Sequence, residues 1–561
     1  MSDLRLREHR FLGATQSLCP DCLDVVPAKI IARDGRVYFR KHCSTHGMRD
    51  DFVCSDERWF DRMEYSLPGR VPPRFALEPD RGCPYDCGLC TEHEQHTCVA
   101  VLEITSSCNL KCPLCYAASG PGGHHVSLAD CRQAIDHLVE YEGRPEILQL
   151  SGGEPTVHPD FEAIFEYACS QPIDIVMINT NGIRLAKDSR LRDLLSRYRQ
   201  RSEVYLQFDG FDDNVYQHLR GEALLETKLK AIELLSESGV NVTLVCTVDQ
   251  NNLGHLGRVV EFGMERPTIT GVSFQPATYT GRFVAPESLD QRVTFPDVIA
   301  AISDQTHGRW QAKDFLPLPC AHPNAHSLAY AYREGSQATS LARLIDVENH
   351  LDLLANGITF NRQSARELID KFLARQACGT GQDCGCGPVK FSDDSGVSNT
   401  PIHPADRIPG TRQINALPQV DSDSKERPGQ FAPDDQVQEQ LAASFFRRAV
   451  NEDLAPADMF RITTTSFMDA YNFDIRQLMK SCVHHLLPTG HLIPFCAYNV
   501  LYRDGHVALP SLAKRVETYS IPVPDDTVPD DTVPDDTVPD DTVPNDTVPN
   551  DTVPHDTVPN D

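Results

Sequence analysis

Two stretches of the chain hold thiols at the same spacing. "GCPYDCGLCTEHEQHTC" (Gly82–Cys98) and "CNLKCPLCYA" (Cys108–Ala117) both contain C-x3-C-x2-C, as Cys83, Cys87 and Cys90 and then Cys108, Cys112 and Cys115. Three thiolates close in sequence can hold three irons of a 4Fe–4S cube and leave the fourth iron without a protein ligand. An iron with an open position can bind a small chelating molecule. The first stretch offers one thiolate more. Four cysteines saturate a cube, so Cys83, Cys87, Cys90 and Cys98 read as a closed auxiliary 4Fe–4S cluster. Zinc, or a Cys98 that does not ligate, is the alternative.

Other cysteines have metal spacing too. "CPDC" (Cys19, Cys22) is followed across a hairpin by "KHCSTHG" with Cys43 and His46. C-x2-C on one arm and C-x2-H on the other suit a tetrahedral mononuclear site. Iron and zinc both fit it, and Cys54 is an alternative to His46. "LPCAHPNAHS" and "SCVHHLLPTGHLIPFCAYN" suggest a third 4Fe–4S cluster drawing on Cys320, Cys482 and Cys496. "CGTGQDCGC" (Cys378–Cys386) either supplies its fourth ligand or belongs to a loop without a redox role. Cys131, Cys169 and Cys246 lie in periodic apolar contexts and read as core thiols. The charged start "MSDLRLREHRFLGATQ" has no apolar signal region, and no stretch has the ~18 apolar residues a membrane span needs. A cytoplasmic chain is expected, whose reduced thiols hold metal rather than pair as disulfides.

The elements around these cysteines follow from periodicity. Residues 1–80 read as a small β-rich metal module, with a hairpin signal at Arg33-Asp34-Gly35. Residues 81–98 form the auxiliary-cluster loop. Over 99–282, strand-like runs ("VAVLEIT", "EILQLSG", "IDIVMINTNG", "EVYLQFDG", "NVTLVCTV", "ITGVSFQPA") alternate with helical ones. Six such units predict an α/β fold with parallel strands and right-handed crossovers, a partial (β/α)6 barrel. In that architecture, loops at the C-terminal ends of the strands build the site, and Cys108–Cys115 follow the first strand. A helical extension is expected over 283–390, a disordered insertion over 391–435 and a cysteine-bearing module over 436–515. A disordered tail of "VPDDT" repeats is expected over 516–561.

C-x3-C-x2-C after the first strand resembles the signature of radical S-adenosylmethionine (SAM) enzymes. "SGGEPTVHPD" (Ser151–Asp160) resembles their GGEP motif. The resemblance implies that the open iron chelates S-adenosylmethionine, whose cleavage yields a 5′-deoxyadenosyl radical. It implies cofactor contacts from Gly152, Gly153 and Glu154, and from the strand ends "INTNG" and "LQFDG" through Asn181, Gln207 and Asp209. Strand-end capping is the plainer reading of those last three. Tyr116, directly after Cys115, is placed to shield the cluster. The wider layout, with "PCxHP" and "PxGxxIPFCxYN" beyond the barrel, is similar to the group of archaeal tetraether and bacterial membrane-spanning lipid synthases. That likeness implies carbon–carbon bond formation between alkyl chain ends, a lipid substrate, peripheral membrane contact and a flavodoxin- or ferredoxin-type electron donor. Radical modification of a peptide or small molecule is the alternative, and a non-catalytic iron–sulfur carrier the third.

The net charge is -28, and the tail from Val523 holds twelve Asp with no Lys or Arg, leaving -28 + 12 = -16 for the remainder. An acidic body argues against nucleic acid, which is bound by neutralising phosphates with Lys and Arg.

Overall fold

The computed structural model describes residues 8–335, 337–344, 435–450, 454–512 and 516–517. The chain opens with four antiparallel strands paired in sequence order, β1 (Arg10–Leu18), β2 (Val25–Arg33), β3 (Arg36–Cys43) and β4 (Gly47–Cys54). Arg33 pairs with Arg36 across Asp34 and Gly35, whose φ values are 53° and 76°. Positive φ at both turn residues gives the tight hairpin that an Asp-Gly pair favours. Lys41 of β3 is 1% exposed and sits 2.9 Å from Asp51. Its ammonium donates to the carbonyls of Leu18, Ala470 and Tyr471, which ties the ribbon to the C-terminal part of the chain.

After the two-residue β5 (Arg74–Phe75) come six parallel strands: β6 (Val99–Thr105), β7 (Ile147–Gly152), β8 (Ile175–Thr180), β9 (Ser202–Gln207), β10 (Val242–Val248) and β11 (Ile269–Pro276). The helices α1 (Leu128–Glu142), α2 (Phe161–Ser170), α3 (Ser189–Arg197), α4 (Asp213–Arg220), α5 (Leu225–Glu237), α6 (Leu256–Met264) and α7 (Phe295–Gln305) connect and follow them. Ser127, Asp188 and Asp212 cap α1, α3 and α4 through their side chains, satisfying N–H groups that a helix start leaves unpaired.

Strand alternation builds two layers. Leu102, Ile104, Leu148, Leu150, Val176 and Leu244 face the helices, none more than 1% exposed. Each such burial contributes about 1.5–3 kcal/mol. Cys131, Cys169 and Cys246 lie in this apolar layer. The opposite positions, among them Gln149, Asn179, Tyr205, Gln207 and Gln275, line a cavity that the sheet encloses.

The α/β partial barrel expected from six units is present and is longer than expected. β12 (Leu316–Pro317), β13 (His326–Glu334) and β14 (Gln337–Ser340) follow α7, then β15 (Met459–Thr465), β16 (Val483–Leu486) and β17 (Leu492–Pro494). The strand order is β12-β13-β15-β11-β10-β9-β8-β7-β6-β16-β17. β15 lies parallel to β11 and β16 parallel to β6, so late segments pair both edges of the six-stranded core. Unpaired edges would otherwise expose backbone donors and acceptors. The stretch expected as a helical extension carries only α7 before turning to strands. "HSLAYAYRE" alternates small and aromatic residues and runs antiparallel to β15. The helical patterns at 345–377, the Cys378–Cys386 loop, the insertion through 434 and the tail from 518 lie outside the described residues.

Candidate active site and metal centres

Cys108, Cys112 and Cys115 sit on the loop between β6 and α1, and all three border one cavity of about 240 Å³. The loop is held by backbone. The Cys108 N–H donates to Gly120 O at 2.9 Å, and Cys115 exchanges hydrogen bonds with Arg282 in both directions. The Arg282 guanidinium donates to the carbonyls of Cys112 (2.6 Å), Ala118 (3.2 Å) and Ser119 (2.7 Å). Nothing in "YTGRFV" signals this clamp in advance. Burial pushes the Cys108 thiol up to about 12 and raises Cys112 as well, so holding them as thiolates needs a bound positive charge. Among the described residues, only the N-terminal Cys/His set has its ligand atoms all within 4.8 Å of one another. The triplet is spaced more widely than a single ion requires, and its three soft donors fit a 4Fe–4S cube.

The end of β7 packs directly on this loop. Gly153 N–H donates to Thr105 O (2.7 Å) and Glu154 N–H to Ser107 O (2.9 Å). Gly152 has φ 124°, and a Cβ there would overlap Thr105 O, while one on Gly153 would overlap Ser107 O. The glycines therefore permit two backbones to touch beside the cysteines. Glu154 is a correction to the sequence reading. Its carboxylate turns away from the cavity and accepts from Thr156 N (3.2 Å), Thr156 Oγ1 (2.6 Å), Thr180 Oγ1 (2.7 Å) and Asn181 N (2.7 Å). Oε1 takes three of these bonds and Oε2 one, joining the end of β7 to β8, so the side chain frames the pocket and does not border the cavity.

Asp209 is corrected in the same way. It lies behind Arg220, their side chains 0% and 7% exposed, and takes both arms of the guanidinium at 2.7 and 2.6 Å. Arg220 borders the cavity and Asp209 does not. Arg220 also donates to Thr247 Oγ1 at 2.8 Å. Lys228 is fully buried, donating to Asn181 O (2.5 Å) and Gln207 Oε1 (3.1 Å). Burial pulls its ammonium down to about 7. Arg220 and Lys228 escape sequence reading because "YQHLRG" and "LETKLKAIELL" look like ordinary helix charges. Asn181 and Gln207 do line the cavity, and Asn181 Nδ2 reaches Asn109 Oδ1 beside the cysteines at 2.7 Å. Tyr116 closes one side, its ring centre 5.1 Å from that of Phe495 and its hydroxyl 3.4 Å from Ser151 Oγ.

The remaining cysteines group differently from the sequence expectation. Cys83, Cys87 and Cys90 line a small hollow together with His93. Cys98 is absent from it. Its thiol instead hydrogen-bonds with those of Cys320 and Cys482, which raises it well above the usual thiol range. The reason is the sheet: Cys98 and Cys482 precede the paired strands β6 and β16, and the Cys98 N–H donates to Cys482 O at 2.9 Å. Cys496 stands apart from that group, its Sγ accepting the Met468 N–H at 3.1 Å.

Cys19, Cys22, Cys43 and His46 converge on the ribbon. Cys22 and Cys43 Sγ are 3.8 Å apart, and His46 Nδ1 is 3.5 Å from both Cys19 and Cys43. A tetrahedron with metal–sulfur bonds of about 2.3 Å has edges near ~3.8 Å, so this donor set fits one metal ion. Backbone N–H groups of His46 and Thr45 draw the Cys43 thiol down to about 6, toward the ligating thiolate. Cys54 takes no part, donating to Asp56 O.

This geometry coincides with a family. Residues 102–262 match the radical SAM superfamily, and residues 11–55 match the HMPTM N-terminal zinc ribbon domain. The chain carries a radical SAM domain and is an enzyme whose cofactors are a 4Fe–4S cluster and S-adenosylmethionine, with a further metal site on the ribbon. It is 29% identical over 517 residues to a 7,8-dihydro-6-hydroxymethylpterin dimethyltransferase of Methanocaldococcus jannaschii, spanning 87% of this chain and 94% of that one. It is 31% identical over 156 residues to the antilisterial bacteriocin subtilosin biosynthesis protein AlbA of Bacillus subtilis, 28% of this chain and 34% of the other. The solved structure of Streptococcus suis SuiB aligns with 38% of this chain and 46% of its own at 17% identity and a TM-score of 0.32. The relative matched along most of the chain bears the name of a pterin methylating enzyme, where the sequence layout implied a lipid synthase. No helix among the described residues is long and apolar enough to cross a membrane.

Proposed function

We propose that this enzyme forms carbon–carbon bonds on a dihydropterin-type heterocycle by replacing C–H with C–CH3. The hydrogen leaves in 5′-deoxyadenosine, the methyl group comes from a second S-adenosylmethionine that leaves as S-adenosylhomocysteine, and a low-potential donor supplies two electrons per methyl. The polar belt across the cavity carries the reading. Gln149, Asn179, Tyr205, Gln207, Ser273 and Gln275 point inward from β7, β8, β9 and β11. Tyr205 donates to Ser273 Oγ (2.8 Å) and accepts from Gln275 Nε2 (3.0 Å). Each amide offers both a donor and an acceptor, which suits the amide and amino edge of a pterin. An alkyl chain would leave the remaining donors and acceptors of these amides unmet, at up to about 1–3 kcal/mol each. The likeness to a named pterin dimethyltransferase along 87% of the chain points the same way.

When bound, the cluster and S-adenosylmethionine supply a primary alkyl radical strong enough to take hydrogen from an unactivated carbon. The chain's residues do the rest. Arg220 offers a cation to the methionyl carboxylate, with Asp209 holding its plane. Lys228 fixes Gln207 and the Asn181 carbonyl. Tyr116, Phe467 and Phe495 keep water from the reacting carbon. A low-potential flavodoxin- or ferredoxin-type partner is the matching electron source, and an auxiliary cluster at Cys83, Cys87 and Cys90 belongs to the same proposal.

A second reading retains alkyl-chain coupling, with a lipid held at the membrane surface. Val99, Val101, Ile147, Met177, Leu328 and Val483 make an apolar portion of the same cavity, as a chain end requires. One experiment separates the two. Anaerobically reconstituted enzyme is given dithionite and S-adenosylmethionine with either 7,8-dihydro-6-hydroxymethylpterin or polar lipids. Methylated pterin with 5′-deoxyadenosine supports the first reading. Bridged or lengthened chains with unchanged pterin overturn it in favour of the second.

A further inference from the structure

Phe467 and Met468 wall the reaction cavity and at the same time border a second hollow. That hollow, of about 40 Å³, lies against Phe39, Val53 and Cys54 of the N-terminal ribbon. It has room for about three water molecules. A wall with a hollow on either face lacks the partner atoms that fix a side chain in a close-packed interior. Its position therefore depends on how its backbone is held.

The backbone is the segment 466–474, which leaves the end of β15 and is gripped from two sides. On the barrel side, Asp469 Oδ2 accepts from Tyr279 N at 2.9 Å and from Arg292 Nη2 at 2.6 Å. On the ribbon side, Lys41 Nζ donates to Ala470 O at 2.9 Å and Tyr471 O at 2.7 Å, and to Leu18 O at 2.9 Å. An ammonium has three donors, and these carbonyls take them all. Asp51 supplies the counter-charge at 2.9 Å, and the Arg49 guanidinium lies 5.6 Å from the centre of the Tyr471 ring. A charge buried this deeply is costly unless paired and hydrogen-bonded. Two of the three bonds that offset the cost go to the cavity-wall segment, not to the ribbon itself.

The wall continues toward the cysteine loop. The Phe467 ring centre is 4.2 Å from that of Phe495, which is 5.1 Å from that of Tyr116, the residue after Cys115. We infer that Lys41 is a positioning residue of the reaction site. Through the carbonyls of Ala470 and Tyr471 it lets the ribbon set where Phe467 and Met468 stand, and so where the reacting carbon of the substrate stops. Arg220 is held by Asp209 and Thr247, outside this line of contacts, so S-adenosylmethionine binding does not depend on Lys41. The inference rests on the pterin reading above only for the identity of the substrate.

The test uses the full chain, reconstituted anaerobically, as wild type, Lys41→Met with Asp51→Asn, Asp51→Asn alone, and Lys41→Arg. Removing both charges spares the ribbon an unpaired buried carboxylate, and Asp51→Asn alone keeps the tether. Hydrogen exchange across 466–474, equilibrium binding of S-adenosylmethionine and steady-state turnover of 7,8-dihydro-6-hydroxymethylpterin are measured. In the double variant, exchange at 466–474 should quicken while S-adenosylmethionine affinity stays as in the wild type. Its kcat/KM for the pterin should fall by up to about 100-fold, the loss a 1 Å misplacement can cause, with more 5′-deoxyadenosine formed per methyl product. Asp51→Asn should keep the segment protected, and Lys41→Arg should recover most of the turnover. Unchanged exchange in the double variant, quickened exchange with unchanged pterin turnover, equal losses of cofactor affinity and turnover, or the same quickening in Asp51→Asn would overturn the inference. If the wild type methylates no pterin, the pterin reading falls alone, and exchange with cofactor affinity decides the role of Lys41. If the double variant fails to fold, Lys41→Gln, a shorter neutral donor, is read in its place.

Discussion

Replacing Asp209 by Asn tests whether this residue touches the cofactor or holds the residue that does. In the wild type its carboxylate takes two charge-assisted bonds from Arg220, at 2.7 and 2.6 Å, and one from Thr247 N at 3.1 Å, all out of water. An Asn keeps one oxygen and sets an NH2 against the guanidinium. Arg220 is then a buried cation without its counter-charge, a situation that costs about 3–5 kcal/mol. At roughly 1 °C per kcal/mol for a chain of this size, the apparent Tm should fall by about 3–5 °C. Cofactor affinity should drop too, because an unheld guanidinium leaves its plane. The double variant Asp209→Asn with Arg220→Met should recover much of the stability, since removing both charges is often neutral, but should not recover affinity. Calorimetry and equilibrium binding of S-adenosylmethionine read both effects. If Asp209→Asn melts with the wild type and loses only affinity, Asp209 contacts the cofactor directly. If the double variant is no more stable than the single, the ion-pair account is wrong.

Gly153→Ala should prevent assembly at Cys108, Cys112 and Cys115, because its Cβ collides with the Ser107 carbonyl; lost absorbance of the reconstituted cluster with normal metal on the ribbon is the expected result. Lys228→Met removes two hydrogen bonds from an ammonium, each worth about 1.5–3 kcal/mol, and should weaken cofactor binding at least about tenfold. Lys228, pulled down to about 7 by burial, opposes folding while it is charged; that penalty lessens as pH rises from about 7 toward the ordinary lysine range. Stability should therefore gain with pH across that window, and lose the gain in Lys228→Met. The ribbon behaves oppositely. Its Cys43, lowered to about 6, favours the folded ribbon fully above the ordinary thiol value and loses that contribution as pH falls to about 6, so the ribbon's metal affinity should weaken as pH falls through that window. Cys19→Ser should empty the ribbon site while cluster absorbance persists.

Local signals carried much of the fold. The strands of the core are short β-rich runs with turn residues between them, and the glycine pair after β7 marks a tight approach in any setting. What remained hidden was tertiary. Cys98 follows Cys90 by only eight positions, yet pairing of β6 with β16 carries it toward Cys482, and no spacing rule reports which strand becomes a neighbour. Glu154 and Asp209 were visible as polar strand-end residues, but whether a carboxylate faces a cavity or the partner behind it depends on the next helix. Arg220 and Lys228 act through burial and Arg282 through carbonyls of a distant loop, and both are properties of the assembled sheet.

The place of β16 beside β6 bears on biosynthesis. The strand that launches the cysteine loop acquires its neighbour on that side only when residues 483–486 have left the ribosome, long after the loop itself has emerged. Iron loading at Cys108–Cys115 should therefore be a late event. Nascent chains stalled before residue 483 should incorporate no stable cluster, and release of the last segment should act as the checkpoint for maturation.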